Sequence, residues 1–327
     1  INLNMILIVG GAGYIGSHVN KLINNHGFET VVFDNLEKGH KEAVKWGKLE
    51  VGDLSKIEEI EAVFNKYPID AVFDFVSYIE VGESVKDPEK YYLNNVKNNL
   101  NLLSVMRKHN VNKIIFSSTA ATFGMPEKIP ISEDDLQKPI NPYGRTKLMI
   151  EEIFKDYDAA YGLRYVVFRY FNACGADKDG EIGEWHEPES HLIPILLEVA
   201  QGKREFFQLN GTDFATEDGT CIRDYVHVED LATAHLLGLK HLMAEGESKF
   251  YNLGSGKGYS NKQVMETVKK VTGVDFKVVY GPRRPGDPDI LLASSDKIKS
   301  ELGWQPAYDN LEEIITTAWE WQKKRET

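Results

Sequence analysis

Cysteine is scarce in this chain: two residues in 327, Cys174 and Cys221. Two thiols cannot build the disulfide framework of a small secreted domain, so a reducing cytoplasm is the expected compartment. Basic residues are in deficit as well, with 38 Lys and Arg against 50 Asp and Glu and a formal charge of −12 at pH 7. Such a chain repels phosphate backbones and anionic membranes unless a local basic cluster overrides the balance. No such cluster stands out, so neither nucleic acid nor membrane is an expected partner. Long apolar runs are also missing near the start, where Met5–Val9 spans only five residues. That is too short for a bilayer crossing or a signal-peptide core. At 42% hydrophobic and 27% charged residues, the composition excludes disorder and collagen. What is left is a soluble globular chain, long enough for about two domains at ~150 residues each.

Apolar runs and helix-like stretches alternate through the first half. Met5–Val9, Thr30–Phe33, Ala71–Phe75, Lys113–Phe116 and Arg164–Phe168 read as strands. Tyr14–Asn25, Lys56–Tyr67, Glu89–Lys108 and Pro142–Ala160 read as helices. Strands that are apolar throughout, rather than alternating, imply a parallel sheet covered on both faces. The expected fold is therefore α/β, with a doubly wound sheet. After Phe168 the rhythm breaks into polar, turn-rich stretches at 174–189 and 210–220. Helices are expected to resume at His191–Gln201, Val228–Met243, Asn261–Thr272 and Leu311–Lys324.

Gly10-Gly-Ala-Gly13-Tyr-Ile-Gly16 closes the first strand and opens a helix. A turn this tight needs residues without Cβ, and the helix N-terminus then offers free N–H groups and a positive dipole end to a pyrophosphate. Asp34 ends the second strand, 18 residues after Gly16, where a carboxylate accepts hydrogen bonds from both adenosine ribose hydroxyls and repels a 2′-phosphate. The pattern points to NAD rather than NADP in a Rossmann domain. Farther on, Tyr143 and Lys147 stand four residues apart early in a helix, on one face. A free phenol titrates near 10, and a neighbouring ammonium lowers that value toward use as a base. The pair follows Ser117-Ser118-Thr119, just past a strand, where ligands bind in doubly wound folds.

Together these motifs make the chain resemble the extended short-chain dehydrogenase/reductase family and, within it, the 4-epimerases of UDP-glucose and UDP-galactose. The likeness also rests on Val81-Gly-Glu-Ser-Val85, Arg169-Tyr-Phe-Asn172, His191-Leu-Ile-Pro194, Thr216-Glu-Asp-Gly-Thr220, Arg223-Asp-Tyr-Val-His-Val228 and Arg283-Arg-Pro-Gly-Asp287. It implies a Rossmann domain over 1–170 and a smaller α/β nucleotide-sugar lobe over 171–327, with about 223–255 rejoining the first.

For NAD, the resemblance implies that Gly10, Gly13, Tyr14, Ile15 and Gly16 lie against the pyrophosphate. Asp34, Asn35, Leu36, Lys38 and Gly39 would wrap the adenosine ribose, and Asp53 and Leu54 would border the adenine. Phe75, Val76, Ser77, Ile79 and Asn95 would line the cofactor's other side, with Ser117, Tyr170 and Phe171 near the nicotinamide. For the sugar nucleotide, Asn172, His191 and Leu192 would hold the diphosphate region, and Gln208, Leu209 and Asn210 would flank the uracil. Arg223 and Arg284 would neutralise the diphosphate, Asp287 would hold the uridine ribose, and Leu291 would gate pocket size.

The chemistry implied is proton removal from the sugar C4 hydroxyl by Tyr143, with Thr119 bonding the reacting oxygen, Lys147 lowering the Tyr143 pKa, and hydride passing to NAD and back. No metal is expected. A homodimer built on the Glu89–Lys108 and Pro142–Ala160 helices is implied as well. Cys174, Cys221 and His227 are read as structural. The chain departs from the family pattern in places. Asp74-Phe-Val-Ser77 stands where His-Phe-Ala-Ala or His-Phe-Ala-Gly is usual, Asn98-Asn99 where Gly-Thr is common, and Asn210 where an aromatic or aliphatic side chain often faces the base. Ala120-Ala121 after Thr119 excludes the acid–base pair of a 4,6-dehydratase. Epimerases of UDP-N-acetylglucosamine, UDP-glucuronate or UDP-pentoses stay open, as does a non-catalytic NAD-binding regulator.

Overall fold

The structure, a computed structural model, describes residues 5–283 and 286–325. Strands β1 (Met5–Val9), β2 (Glu29–Asp34), β3 (Lys48–Val51), β4 (Ile69–Asp74), β5 (Lys113–Thr119) and β6 (Arg164–Tyr170) alternate with helices α1 (Tyr14–Asn25), α2 (Ile57–Lys66), α3 (Val81–Lys86), α4 (Pro88–Tyr91), α5 (Asn98–Lys108) and α6 (Pro142–Tyr161). Then come β7 (Asn172–Cys174), α7 (Leu192–Ala200), β8 (Phe207–Asn210), β9 (Ile222–His227), α8 (Val228–Met243), β10 (Lys249–Leu253), β11 (Gly258–Ser260), α9 (Asn261–Thr272), β12 (Val278–Gly281), β13 (Ile290–Leu291), α10 (Asp296–Leu302) and α11 (Leu311–Arg325).

The central sheet runs β10-β6-β5-β4-β1-β2-β3, and every pair in it is parallel. Every residue of β1 is buried because the pleat sends alternate side chains into two cores. Leu7 and Val9 join one core with Leu102, Met106, Ile150 and Phe154 from α5 and α6. Ile6 and Ile8 join the other with Val19 and Ile23 of α1 and Leu231 and Leu239 of α8. A third core, with Leu196, Val264 and Ile315 from α7, α9 and α11, belongs to the C-terminal lobe. Strand order reverses between β1 and β4, and in open α/β sheets ligands bind beyond the strand C-termini at such a point.

The helix expected over Glu89–Lys108 is interrupted. A π-helical turn over Tyr92–Lys97 separates α4 from α5, and such turns gather at functional sites. Its Asn95, 1% exposed, clips the 75–80 segment to α6: Oδ1 accepts from Tyr78 N at 2.9 Å, while Nδ2 donates to Tyr78 O at 3.1 Å and Thr146 Oγ1 at 3.0 Å. No described helix is long and apolar enough to cross a membrane.

Candidate active site

The glycine loop shows why side chains are excluded from it. Gly10 has φ +77°, and a Cβ there would lie 3.1 Å from the Phe75 carbonyl carbon and Val76 N. A Cβ on Gly16 would stand 2.4 Å from Gly10 O, a backbone atom that cannot move aside. Helix α1 therefore presses against the turn. Gly13 caps it without a side-chain acceptor, and its first turn carries no acid, so its N–H groups and positive dipole end are left for an anion. Asp34 is 7% exposed, and its two oxygens accept the Ala12 N–H at 3.0 Å and the Leu36 N–H at 2.9 Å. Burial raises this carboxyl from 3.8, and the two N–H groups oppose the rise.

A cleft of about 670 Å³ opens beyond these strand ends. Gly10, Gly13, Tyr14, Ile15, Gly16, Asp34, Asn35, Lys38 and Gly39 line one end. Phe75, Val76, Ser77, Ile79, Ser117, Thr119, Tyr143, Lys147, Tyr170, Phe171, Asn172, His191 and Leu192 line the rest.

Helix α6 aims two of these. Asn141 caps it by accepting the Gly144 N–H at 2.8 Å, and Pro142 sets its first turn, so Tyr143 projects at the helix start. The Thr119 hydroxyl lies beside the Tyr143 phenol; burial pushes the phenol's pKa up to about 12, and Thr119 opposes the rise. Lys147, 2% exposed, donates from Nζ to Ser117 O at 2.6 Å. Burial lowers its ammonium from 10.5 to about 8, against the pull of Asp74 and Glu151. A phenol, a hydroxyl and an ammonium thus converge on the C-terminal edge of β5.

Comparison with known proteins settles the kinship. Residues 6–254 match the model of the NAD dependent epimerase/dehydratase family. The chain belongs to that family. It is 51% identical over 319 residues to the UDP-glucose 4-epimerase of Halalkalibacterium halodurans, covering 98% of this chain and 96% of that protein. It is 48% identical over 322 residues to the UDP-glucose 4-epimerase of Rhizobium meliloti, covering 98% of each. Among solved structures it matches UDP-glucose 4-epimerase from Brucella ovis in complex with NAD, with a TM-score of 0.94, 47% identity and 97% coverage of each chain. It also matches UDP-glucose 4-epimerase from Bifidobacterium longum in complex with NAD+ and UDP, with a TM-score of 0.93, 36% identity and 99% coverage of each chain.

This member of the NAD dependent epimerase/dehydratase family has a glycine turn, an uncapped helix start and a buried carboxylate on Asp34 that fit NAD. Several residues singled out in the sequence lie away from the cleft. Leu36, at φ +60°, turns the chain after Asp34. Asp53 accepts from Asn35 Nδ2 at 3.0 Å, and Leu54, 5% exposed, packs in the core. Gln208 and Asn210 bond each other at 2.7 Å on β8, while Leu209 turns into the lobe's core at 2% exposure. Arg223 donates to Ile222 O and Pro288 O, both at 2.9 Å, and sits 3.9 Å from Asp287. Leu291 pairs with Arg223 across β13 and β9, so these three gather beside the lobe. Arg284 lies outside the described residues.

Glu37 and Tyr78, inside the expected 34–39 and 75–79 spans, also line the cleft; Glu80, Glu184, His186 and Ser190 line it without having been singled out. The Tyr78 hydroxyl donates to Glu37 at 2.9 Å and Ser190 Oγ to Glu80 at 2.7 Å, which ties loops across the cleft. Glu184, His186, Glu189 and His191 bring four potential ligand atoms within 4.8 Å of one another. The cluster is internally paired, with His191 Nδ1 2.6 Å and His186 Nδ1 3.3 Å from the same Glu184 oxygen. Burial would lower the His186 pKa, but Glu184 and Glu189 more than offset this and hold it at about 10. Burial would likewise raise Glu184, and His191 and His186 bring it down to about 2.

Proposed function

We propose that this chain inverts C4 of a UDP-hexose, interconverting UDP-glucose and UDP-galactose through a transient 4-keto sugar with NAD as a regenerated cofactor. The observation that carries the reading is the convergence of Tyr143, Thr119 and Lys147 between the glycine loop and the 171–192 segment, within one cleft. NAD would be held by the α1 N-terminus, Asp34 and the 75–79 segment. When bound, it supplies the oxidant for C4, then the reductant that restores it, and a positive ring beside the site.

Tyr143 takes the proton of the C4 hydroxyl and later returns it. Thr119, beside the phenol, shares that proton and holds the reacting oxygen. In the protein alone burial keeps Tyr143 at about 12, so the phenolate needs positive charge nearby. Lys147, fixed by Ser117 O, supplies part of it and would hold the nicotinamide ribose. The nucleotide would be held by Asn172, His191 and Leu192, with Arg223, Arg284, Asp287, Leu291 and the 208–210 strand as the outer subsite. Tyr143→Phe should cut turnover by about 10²–10⁴-fold, the usual contribution of a general base. Near-wild-type turnover in that variant would remove Tyr143 from the role. Offering UDP-galactose, UDP-N-acetylgalactosamine and UDP-galacturonate without added NAD tests both the substrate and the retention of cofactor.

We also assign residues 1–170 to NAD binding and 171–327 to the sugar nucleotide, with about 223–255 rejoining the first. The pairing of β10 with β6 and the place of α8 in the core of α1 support that return. A homodimer through the Glu89–Lys108 and Pro142–Ala160 segments is supported by exposed Leu93, Leu100 and Met149, which a second copy would cover; light scattering tests it. The burial of Cys174 and Cys221, at 2% and 5% exposure, supports a cytoplasmic setting.

A further inference from the structure

Lys147 is an ammonium inside the protein, and the groups that touch it are neutral. Its Nζ donates to Ser117 O at 2.6 Å and stands 4.5 Å from the Phe116 ring centroid. A carbonyl and a ring face do not offset the loss of water around a buried cation, so an anion has to balance it. On its own helix Glu151 lies one turn on, but Arg169 pairs with that carboxylate at 2.8 Å, and Ser118 and Gln137 donate to it at 2.5 and 3.0 Å.

Across the sheet, Asp74 ends β4 in register with Phe116 of β5 and is 1% exposed. Its oxygens accept the Val76 N–H at 3.0 Å and the Asn99 amide at 2.5 Å. Both donors are neutral, so this buried carboxylate needs a cation as much as Lys147 needs an anion. Tyr143 one turn before Lys147, Tyr170 on β6 and Glu80, which faces Tyr143, are the other titratable groups at this edge.

The geometry points to Asp74, held by Asn99, as a positioning residue: it is the buried counter-ion that keeps the Lys147 ammonium charged at the catalytic edge of the sheet. The inference rests on the roles of Tyr143 and Lys147 given above. Burial raises Asp74 to about 6 with Lys147 the main opposing influence, and lowers Lys147 to about 8 with Asp74 the main opposing influence. At pH 7 both are charged. Without the Asp74 charge, Lys147 loses its proton at lower pH and stops assisting Tyr143 on the alkaline side. Loss of one opposite charge at close range moves such a group by about 1–3 units.

Asp74→Asn isolates the charge from the shape. The new amide oxygen can still accept the Val76 N–H, and its amide nitrogen can meet Asn99 Oδ1, a buried atom without a partner, once the Asn99 amide rotates. The pH profile of UDP-galactose turnover is to be measured for wild type, Asp74→Asn and Asn99→Ala.

The expected result is an alkaline limb about 1–3 units lower in Asp74→Asn. In Asn99→Ala, which keeps the carboxylate, the limb should stay in place. An unmoved limb in a folded Asp74→Asn, or an equal shift in Asn99→Ala, would overturn the inference. So would failure of Asp74→Asn to fold, since shape rather than charge would then be what Asp74 provides. Wild type inert toward UDP-galactose would instead defeat the proposed function.

Discussion

Glu151→Gln should be among the most damaging single substitutions outside the cleft. Glu151 is fully buried, and Arg169 opposite it has a side chain 3% exposed. Arg169 meets the carboxylate through Nη2 at 2.8 Å and Nε at 3.2 and 3.3 Å. The neutral amide keeps the shape but leaves the guanidinium buried without its anion. Breaking one side of such a pair costs about 3–5 kcal/mol, from a total stability that is typically ~5–15 kcal/mol. Glu152→Gln in the same helix is the control. Its pair with Lys155 is exposed and should contribute about 0.5 kcal/mol or less. Because Glu151 follows Lys147 by one turn and Tyr143 by two, a loosened α6 should also lower kcat. Denaturant midpoints of the two variants and of Glu151→Met/Arg169→Met measure this, and the apolar double replacement should recover most of the loss. A Glu151→Gln loss no larger than that of Glu152→Gln would refute the reasoning. A double variant no better than the single would do the same, leaving the bonds from Ser118 and Gln137 to hold the helix.

Asp34→Gly should weaken NAD and narrow its margin over NADP, since the ribose-side carboxylate is lost; equal NAD affinity by calorimetry would remove Asp34 from the role. Tyr78→Phe removes the hydrogen bond to Glu37 that spans the cleft at 2.9 Å, so NAD should leave several-fold faster in a stopped-flow release assay. The folded-state pKa of His186, about 10, lies above its ordinary 6.5. Its contribution to stability is therefore full below pH 6.5 and lost as pH rises toward 10. Melting temperatures should fall across that interval in wild type and fall less in His186→Gln; parallel curves would mean that the ring is not held charged.

What the sequence revealed and what it hid divide by range of contact. Val228–Met243 and Asn261–Thr272 occupy the expected spans because their periodicity and caps are local, and Ser260 with Gln263 forms a capping box. Strand β10 stayed hidden because Lys249–Leu253 is a strand only beside β6, some 80 residues earlier. The short strands of the C-terminal lobe are of the same kind. In the site, Tyr143 and Lys147 were legible as neighbours on one helix face. The ties from Tyr78 to Glu37 and from Ser190 to Glu80 join residues 41 and 110 positions apart and leave no local pattern. Asp74 and Asn99 looked like two unrelated departures until folding placed them in one hydrogen bond.

Net charge misled for a related reason. A total of −12 suggests a surface hostile to diphosphates. Yet Glu184 and Glu189 change what their partners are. By holding His186 protonated they turn its ring into a donor at both nitrogens, and Glu184 raises His191 in the same direction. Acidic residues counted against anion binding in the composition thus create hydrogen-bond donors at the wall where a diphosphate would lie. Only the fold decides which of the two effects an acidic side chain has.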